Sequence, residues 1–342
     1  INAFVGGNIT NQNWKTNSAT MNVWSNTQWL INPDVYNFTN TNVPITPNYA
    51  SYRKTYKSLY SGLSVGFKDL FYIDASARND INSAYLNTDN SFFTYSVGGS
   101  LLVHNLLPKN DAVTFAKLRA GFAKVPSDLN VLATNPTYSY GASTISLNGT
   151  TYLIGYQPLT SIDPGLKPSI NENFEAGLDL KFLNNRISFS GTYYNENKND
   201  EPLPVTVPAS SGATSQFLNS GKVNRKGVEL SLSGDVLKSA TGLNWSTSLN
   251  FAKNKTVIKK VADGLQSISF GSSDDYGKVN IIQLEGKEWG QLVGTGYMTD
   301  ASGNRILNDD GTYAFETGKN FGSVLPEFTG GFYNSLSYKG FT

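Results

Sequence analysis

Large apolar residues recur at every second position through most of this chain. Between Tyr56 and Phe67, Leu59, Leu63, Val65 and Phe67 fall on one parity, with Ser58, Gly62, Ser64 and Gly66 on the other. A period of two places such sets on opposite faces of a β-strand. After the short Lys68-Asp69-Leu70 link, Phe71, Ile73, Ala75 and Ala77 alternate with Tyr72, Asp74, Ser76 and Arg78. The two runs predict a hairpin whose second face carries charge. Phe93, Tyr95, Val97, Leu101 and Val103 then alternate with Thr94, Ser96, Gly98 and Ser100, and Ala116, Leu118, Ala120 and Phe122 with Lys117, Arg119 and Gly121. The clearest pair follows: Phe174, Ala176, Leu178, Leu180 and Phe182 interleave with Asn173, Glu175, Gly177, Asp179 and Lys181. Asn184-Asn185 then predicts a tight turn into 186–194, because Asn tolerates positive φ. Strands are also predicted over 228–233, 243–251 and 328–338, with weaker ones near 279–284 and 291–298, for about ten in all.

These runs are about 9–12 residues long, enough for a tilted strand to cross roughly 30 Å of hydrocarbon, whereas soluble strands average nearer 5–6. Short links such as 68–70 and 183–185 exchange with long ones over 79–91, 125–172 and 195–225. Short periplasmic turns and long external loops produce that asymmetry in outer-membrane barrels. Tyr56, Phe71, Tyr72, Phe92, Phe93, Phe182, Tyr193 and Tyr194 lie at strand ends, where interfacial aromatic girdles belong. The predicted class is therefore all-β, an antiparallel transmembrane β-barrel. Strands occupy 55–342 and are joined by long extracellular loops. Residues 1–54 show no alternation and are expected to be an extracellular loop region. Its aromatics Trp14, Trp24, Trp29, Tyr36 and Phe38 suit contact with a sugar ring or a partner protein, or packing of the loop against itself.

Composition narrows the alternatives. Aromatics make up 13% of the chain and charged residues 15%, against roughly 25% charged in a soluble domain. The 27 basic and 26 acidic residues leave a net charge of +1, so no field favours nucleic acid. Zero cysteines exclude disulfides and thiolate chemistry, and His104 is the single histidine. Mean hydropathy is −0.30 and no run of about 18 apolar residues occurs, which excludes a membrane helix but is what an alternating barrel gives. The chain opens on Ile1 without an initiator Met or signal segment, so it is expected to be a mature form or a fragment.

Candidate chemistry is sparse, and no catalytic, cofactor-binding or metal-binding residue is predicted. Asp300, followed by Gly303, Asp309, Asp310 and Gly311, approaches the carboxylate spacing of a calcium loop, but Arg305 stands where its obligatory Gly belongs. Gly303 and Gly311 read more simply as hairpin turns. The pairs Asp163/Glu172 and Glu285/Glu288 have no spacing that sets them across a cleft. His104, just past a strand end, has no visible partner and reads as interfacial or external. The polar parity carries the candidate lumen-facing set Asp74, Arg78, Lys117, Arg119, Glu175, Asp179, Lys181 and Glu229. Cross-strand ion pairing is their first expectation, with substrate contact second.

The run 58–80, SLYSGLSVGFKDLFYIDASARND, resembles the central barrel segment of the SusC/RagA family of TonB-dependent outer-membrane transporters. FTYSVGGS at 93–100, AKLRAGF at 116–122, LKP at 166–168, EAGL at 175–178, FLNNRI at 182–187, GTYYN at 191–195 and NSGKVNRKGVEL at 219–230 follow in the family's order. The resemblance implies a 22-stranded barrel of which this chain is a middle portion, with the plug domain, TonB box and C-terminal strands absent. It implies import of a bulky oligosaccharide or peptide across the outer membrane of a Gram-negative bacterium. The implied partners are a SusD-like surface lipoprotein, TonB with ExbB and ExbD acting through a missing N-terminal segment, outer-membrane lipid, and a second SusCD pair in a dimer. No cofactor and no bond chemistry are implied. Two other readings stay open: a soluble secreted β-rich carbohydrate-binding protein, and a passive porin.

Overall fold

The computed structural model describes all residues except 21–28, 44, 46, 86–89, 109–111, 128, 130–138, 157, 273–278, 340 and 342. Its strands in chain order are β1 (Asn2–Ser18), β2 (Asn48–Phe67), β3 (Phe71–Asn82), β4 (Ser91–Leu102), β5 (Val113–Pro126), β6 (Ser139–Leu147), β7 (Thr150–Tyr156), β8 (Thr160–Ile162) and β9 (Ile170–Phe182). There follow β10 (Ile187–Thr206), β11 (Ser215–Leu237), β12 (Leu243–Lys260), β13 (Ser267–Ser272), β14 (Val279–Leu284), β15 (Gln291–Tyr297), β16 (Phe315–Ser323) and β17 (Thr329–Tyr338). The main sheet is an antiparallel meander in the order β1-β2-β3-β4-β5-β9-β10-β11-β12-β17, open at both edges, with β8 attached in parallel to β11. β6 and β7 form a hairpin, and β13–β16 a separate four-stranded sheet. The weak strands expected near 279–284 and 291–298 exist, but belong to that side sheet rather than to the wall.

Register converts the period-two sequence into two continuous faces. Phe189 of β10 lies opposite Leu180 of β9 and Leu232 of β11, and the row continues through Leu249 to Phe332. On this face the large apolar side chains are open, Leu232 at 45% and Phe332 at 70% exposure. Such a contiguous apolar surface requires a cover of lipid or protein. Toward one end of the strands the same parity passes to Lys124, Glu172, Lys226 and Lys253, so the apolar band has a defined edge. The other face carries Ser, Thr, Gly and charged residues.

The links divide between opposite ends of the sheet, with the three longest at the same end. Links 68–70, 103–112, 183–186 and 238–242 lie at one end, and 19–47, 83–90, 127–169, 207–214 and 261–328 at the other. The short turns take positive φ at Lys68 and Asp69, and at Leu183, Asn184 and Asn185, which is where the Asn-Asn pair was expected to act. Ala116 is buried near the short links, but among the described residues most of the packed interior lies at the long-link end. There Ile258, Val261 and Ala262 are buried against Val205, Val223, Leu265 and Ile268, and Leu166 and Ser169 are almost fully enclosed.

Two expectations need correction. The loop region expected over 1–54 contains β1 and the start of β2, paired without interruption from Asn2↔Ser64 to Ser18↔Asn48. Its apolar parity holds only Ala3, Val5 and Ile9 before Asn11, Asn13 and Lys15 replace it, while Phe4 and Trp14 fall on the polar face, so no alternation shows. Likewise β10 and β11 continue as a hairpin through most of 195–225, leaving only 207–214 as a link. Its sequence there is mostly polar, and apolar residues such as Val205 and Val223 pack against the Ile258 cluster instead of forming an alternating row, because the strands have outrun the apolar band.

Candidate functional site

All eight predicted lumen-facing residues share the polar face of the main sheet. At its centre Arg119 of β5 reaches two strands: Nε lies 3.3 Å from Asp179 Oδ2 on β9, and Nη2 donates to Thr192 Oγ1 on β10 at 2.6 Å. Ser190 Oγ donates to the other Asp179 oxygen at 2.6 Å. Gly177 makes room for this arginine, since a Cβ there would stand 2.5 Å from the guanidinium carbon. Asp74, Arg119 and Glu175 border one recess of about 380 Å3, and Glu229 borders a second of about 400 Å3 beside Thr192. Asp74 accepts from Ser64 Oγ at 2.5 Å, Lys117 lies in register with Asp179, and Lys181 sits 5.8 Å over the Phe115 ring.

Arg78 stands apart, nearer the long-link end. Its Nε lies 2.8 Å from Asp80 Oδ2 and its Nη2 donates to Ser58 Oγ at 2.8 Å, while Ser58 Oγ donates to Asp80 Oδ1 at 2.5 Å. The guanidinium also covers the Tyr60 ring at 5.6 Å. Asp80, Ser58, Ser190 and Thr192 were not singled out from sequence. Each becomes visible only when register sets it opposite a charge, and in sequence order Ser190 and Thr192 lie more than seventy residues beyond Arg119. Lys167–Asp200 at 3.0 Å, Arg225–Glu196 at 3.6 Å and Lys198–Glu201 add further pairs toward the long-link end, and Lys124–Glu172 at 3.1 Å pairs on the apolar parity, beyond the edge of its band.

Because the Arg119 and Asp179 side chains are about one-third exposed, at 33% and 30%, water screens their attraction. Arg119→Ala is expected to cost about 1 kcal/mol, adding a weakened ion pair to one lost hydrogen bond. A urea midpoint for the purified protein would show it, and an unchanged midpoint would mean the pair contributes nothing to stability.

The aromatic candidates divide. Trp14 lies on the polar parity of β1, and Trp24 lies outside the described residues. Trp29, Tyr36 and Phe38 belong to a turn built by asparagines. Asn40 Nδ2 donates to the carbonyls of Asn32 at 2.8 Å and Val35 at 2.7 Å, and Asn42 Oδ1 accepts from Trp29 N–H at 2.7 Å. Polar side chains hold the backbone, and the three rings stay exposed.

Among the described residues no group of three or more His, Cys, Asp or Glu is arranged to hold a metal. The Asp300 carboxylate instead accepts Asn304 N–H at 2.8 Å and Ser302 N–H at 2.9 Å, and Gly303 and Gly311 have positive φ, as hairpin turns require. His104 Nδ1 lies 3.2 Å from the Ala116 carbonyl, against Phe115, at the short-link end. The Asn304 backbone N–H, then its side chain, holds Asp300 below the ordinary carboxylate value of 3.8. A lowered folded value means the stabilisation is present above the ordinary value and lost as pH falls through the folded one. Amide exchange in 298–314, corrected for intrinsic rate, should be unchanged from pH 7 to 5 and accelerate only below the usual carboxylate range. Acceleration already at pH 5 would sink this assignment.

A family model described as "TonB dependent receptor-like, beta-barrel" matches residues 2–341. The chain belongs to that family. TonB-dependent receptor barrels reside in the outer membrane, so the apolar face of this one meets lipid, and the SusC/RagA resemblance read from the sequence stands. TonB-dependent receptor P3 of Formosa agariphila is 24% identical over 314 residues, 83% of this chain and 30% of the relative. Receptor P26 of the same organism is 25% identical over 321 residues, 86% of this chain and 31% of the relative. The chain thus spans under a third of the length of these curated relatives. Among solved structures, the RagAB peptide importer in its closed-closed state matches with a TM-score of 0.72 at 23% identity, over 99% of this chain and 37% of that one. Its open-open state matches at 0.70 and 24%, over 87% and 33%. Those likenesses establish the receptor-barrel fold.

Proposed function

We propose that this chain is the middle of the wall of a SusC-type TonB-dependent transporter that imports a bulky oligosaccharide or peptide. The observation that carries the reading is the two-faced sheet: a continuous apolar band on one side, a ladder of ion pairs on the other. A pore for a polar cargo needs a hydrated wall, and paired charges line it without a net field that would trap one sign of solute. The short links face the periplasm and the long links the exterior, where a SusD-like lipoprotein caps the barrel. A plug fills the lumen and opens when TonB, energised through ExbB and ExbD, pulls on its N-terminal segment. No covalent step occurs, and two such pairs assemble as a dimer. The likeness to a peptide importer favours a cargo of oligomer size, and the exposed rings of Trp29, Tyr36 and Phe38 suit either a sugar face or a peptide side chain.

The test is uptake by cells that carry the full-length protein or lack it, supplied with labelled oligosaccharides or peptides, with and without TonB. TonB-dependent uptake and co-purification of a lipoprotein support the reading. Uptake that persists without TonB makes the protein a passive porin, and release of the protein without detergent makes it a soluble binder.

A further inference from the structure

The apolar face carries a groove of about 460 Å3 near the short-link end. Its origin is a change of side-chain size between adjacent rows. The row of Phe189, Leu232, Leu249 and Phe332 is followed toward the short links by Ile187, Gly234 and Thr247, also mutually in register. Gly234 and Thr247 are too small to continue the apolar surface, so a trough runs between the bulky row and Leu183 and Val236. At its rim Arg186 Nη2 donates to the carbonyls of Asp235 at 3.0 Å and Val236 at 3.1 Å. Those bonds fix the guanidinium, while Nε and Nη1 carry three more N–H donors.

The charges beside the rim are Lys238 in the adjacent short link, 3.8 Å from the Asp235 carboxylate, and Lys339, which covers the Tyr338 ring at 5.3 Å just beyond β17; with Arg186 they leave an excess of positive charge over Asp235. We propose that this groove holds one acyl chain of a phospholipid of the inner leaflet, with the phosphate on Arg186 and Lys238. The groove is continuous with the lipid-facing surface, its walls are apolar, and its rim matches an anionic phosphate, which arginine binds through charge-assisted N–H bonds. A lipid already in the bilayer gains little by exchanging one hydrocarbon contact for another, so selectivity rests on the phosphate and on the fit of the chain. The inference rests on the short links facing the periplasm. It does not depend on the cargo.

The test uses the delipidated full-length protein in detergent, titrated with phosphatidylglycerol and followed by native mass spectrometry. One phosphatidylglycerol should bind more tightly than diacylglycerol, and inorganic phosphate should not displace it. Thr247→Trp, which fills the trough, should weaken that binding at least about tenfold, about 1.4 kcal/mol. Thr247→Leu is the milder variant should tryptophan impair folding, and heat-dependent gel mobility reports folding for both. Arg186→Gln should reduce phosphatidylglycerol to the affinity of diacylglycerol. Equal binding by wild type and folded Thr247 variants, or equal affinity for the two lipids in wild type, overturns the proposal. Preference for lipopolysaccharide, an outer-leaflet lipid, overturns it as well. A protein that imports nothing yet passes this test leaves the groove assignment standing and removes only the transport reading.

Discussion

Gly227→Val is expected to cost at least about 1–3 kcal/mol, the range for overpacking a tightly paired site. A Cβ at Gly227 would stand 2.6 Å from the Lys253 carbonyl oxygen and 2.7 Å from the Tyr194 hydroxyl. The tyrosine can swing aside, but the carbonyl cannot. Gly227 is paired on both sides, with Tyr194 of β10 and Asn254 of β12, inside stretches of unshifted register that run from Val223 to Gly234 on β11. Relief therefore means separating β11 from β12, and the two valine methyls enlarge the clash. Against a total stability of about 5–15 kcal/mol this is a large fraction, so the folded, heat-modifiable band should diminish visibly and the urea midpoint fall. Gly62→Ala is the matched comparison. Its Cβ would meet the ring of Phe4 at 2.4 Å, but that ring is the far end of an exposed side chain on edge strand β1. Rotation of Phe4 should hold the cost under about 1 kcal/mol. If the two glycines respond alike, the backbone contact at Lys253 is not what constrains the wall.

The two glycines also show where sequence pattern stops informing. Alternation identifies a strand only where one parity is apolar, and it assigned the faces of β2 to β5, β9 and the lower part of β11 correctly. It failed for β1, whose upper part has polar residues on both parities, and for the extended β10–β11 hairpin, whose pairing is fixed by neighbours rather than by hydropathy. All eight predicted charges fell on the polar face because parity alone decides that. Their partners did not follow from parity. Arg119 meets Thr192 from 73 positions away, across a strand inserted by the β6–β8 excursion, and nothing local to either residue encodes that distance. The role of Gly177 is hidden for the same reason: it is small because an arginine on the neighbouring strand lies over it.

Leu232→Arg is expected to cost about 2–4 kcal/mol, and Ser231→Arg, one residue away, no more than about 1 kcal/mol. The apolar band on β11 runs from Val228, paired with Lys253, to Val236, whose carbonyl accepts from Arg186. Leu232 lies midway between those cationic borders, in the row with Leu180, Phe189 and Leu249, so a guanidinium there sits near the depth of greatest cost. Its side chain is too short to bring the charge to either interface without distorting the lipid around it. Ser231 points to the other face, where Oγ donates to Asn250 Oδ1 at 2.8 Å, and the substitution loses one exposed hydrogen bond in a surface already lined with paired charges. The difference of about 2 kcal/mol corresponds to roughly 30-fold in the folded ratio, measurable as separated urea midpoints for the full-length protein refolded into vesicles. The same pair measured in detergent should converge somewhat, because a micelle rearranges around a charge more readily than a bilayer. Equal costs in vesicles would mean that protein, not lipid, covers this part of the apolar face, and the lipid groove beside Leu232 would fall with it.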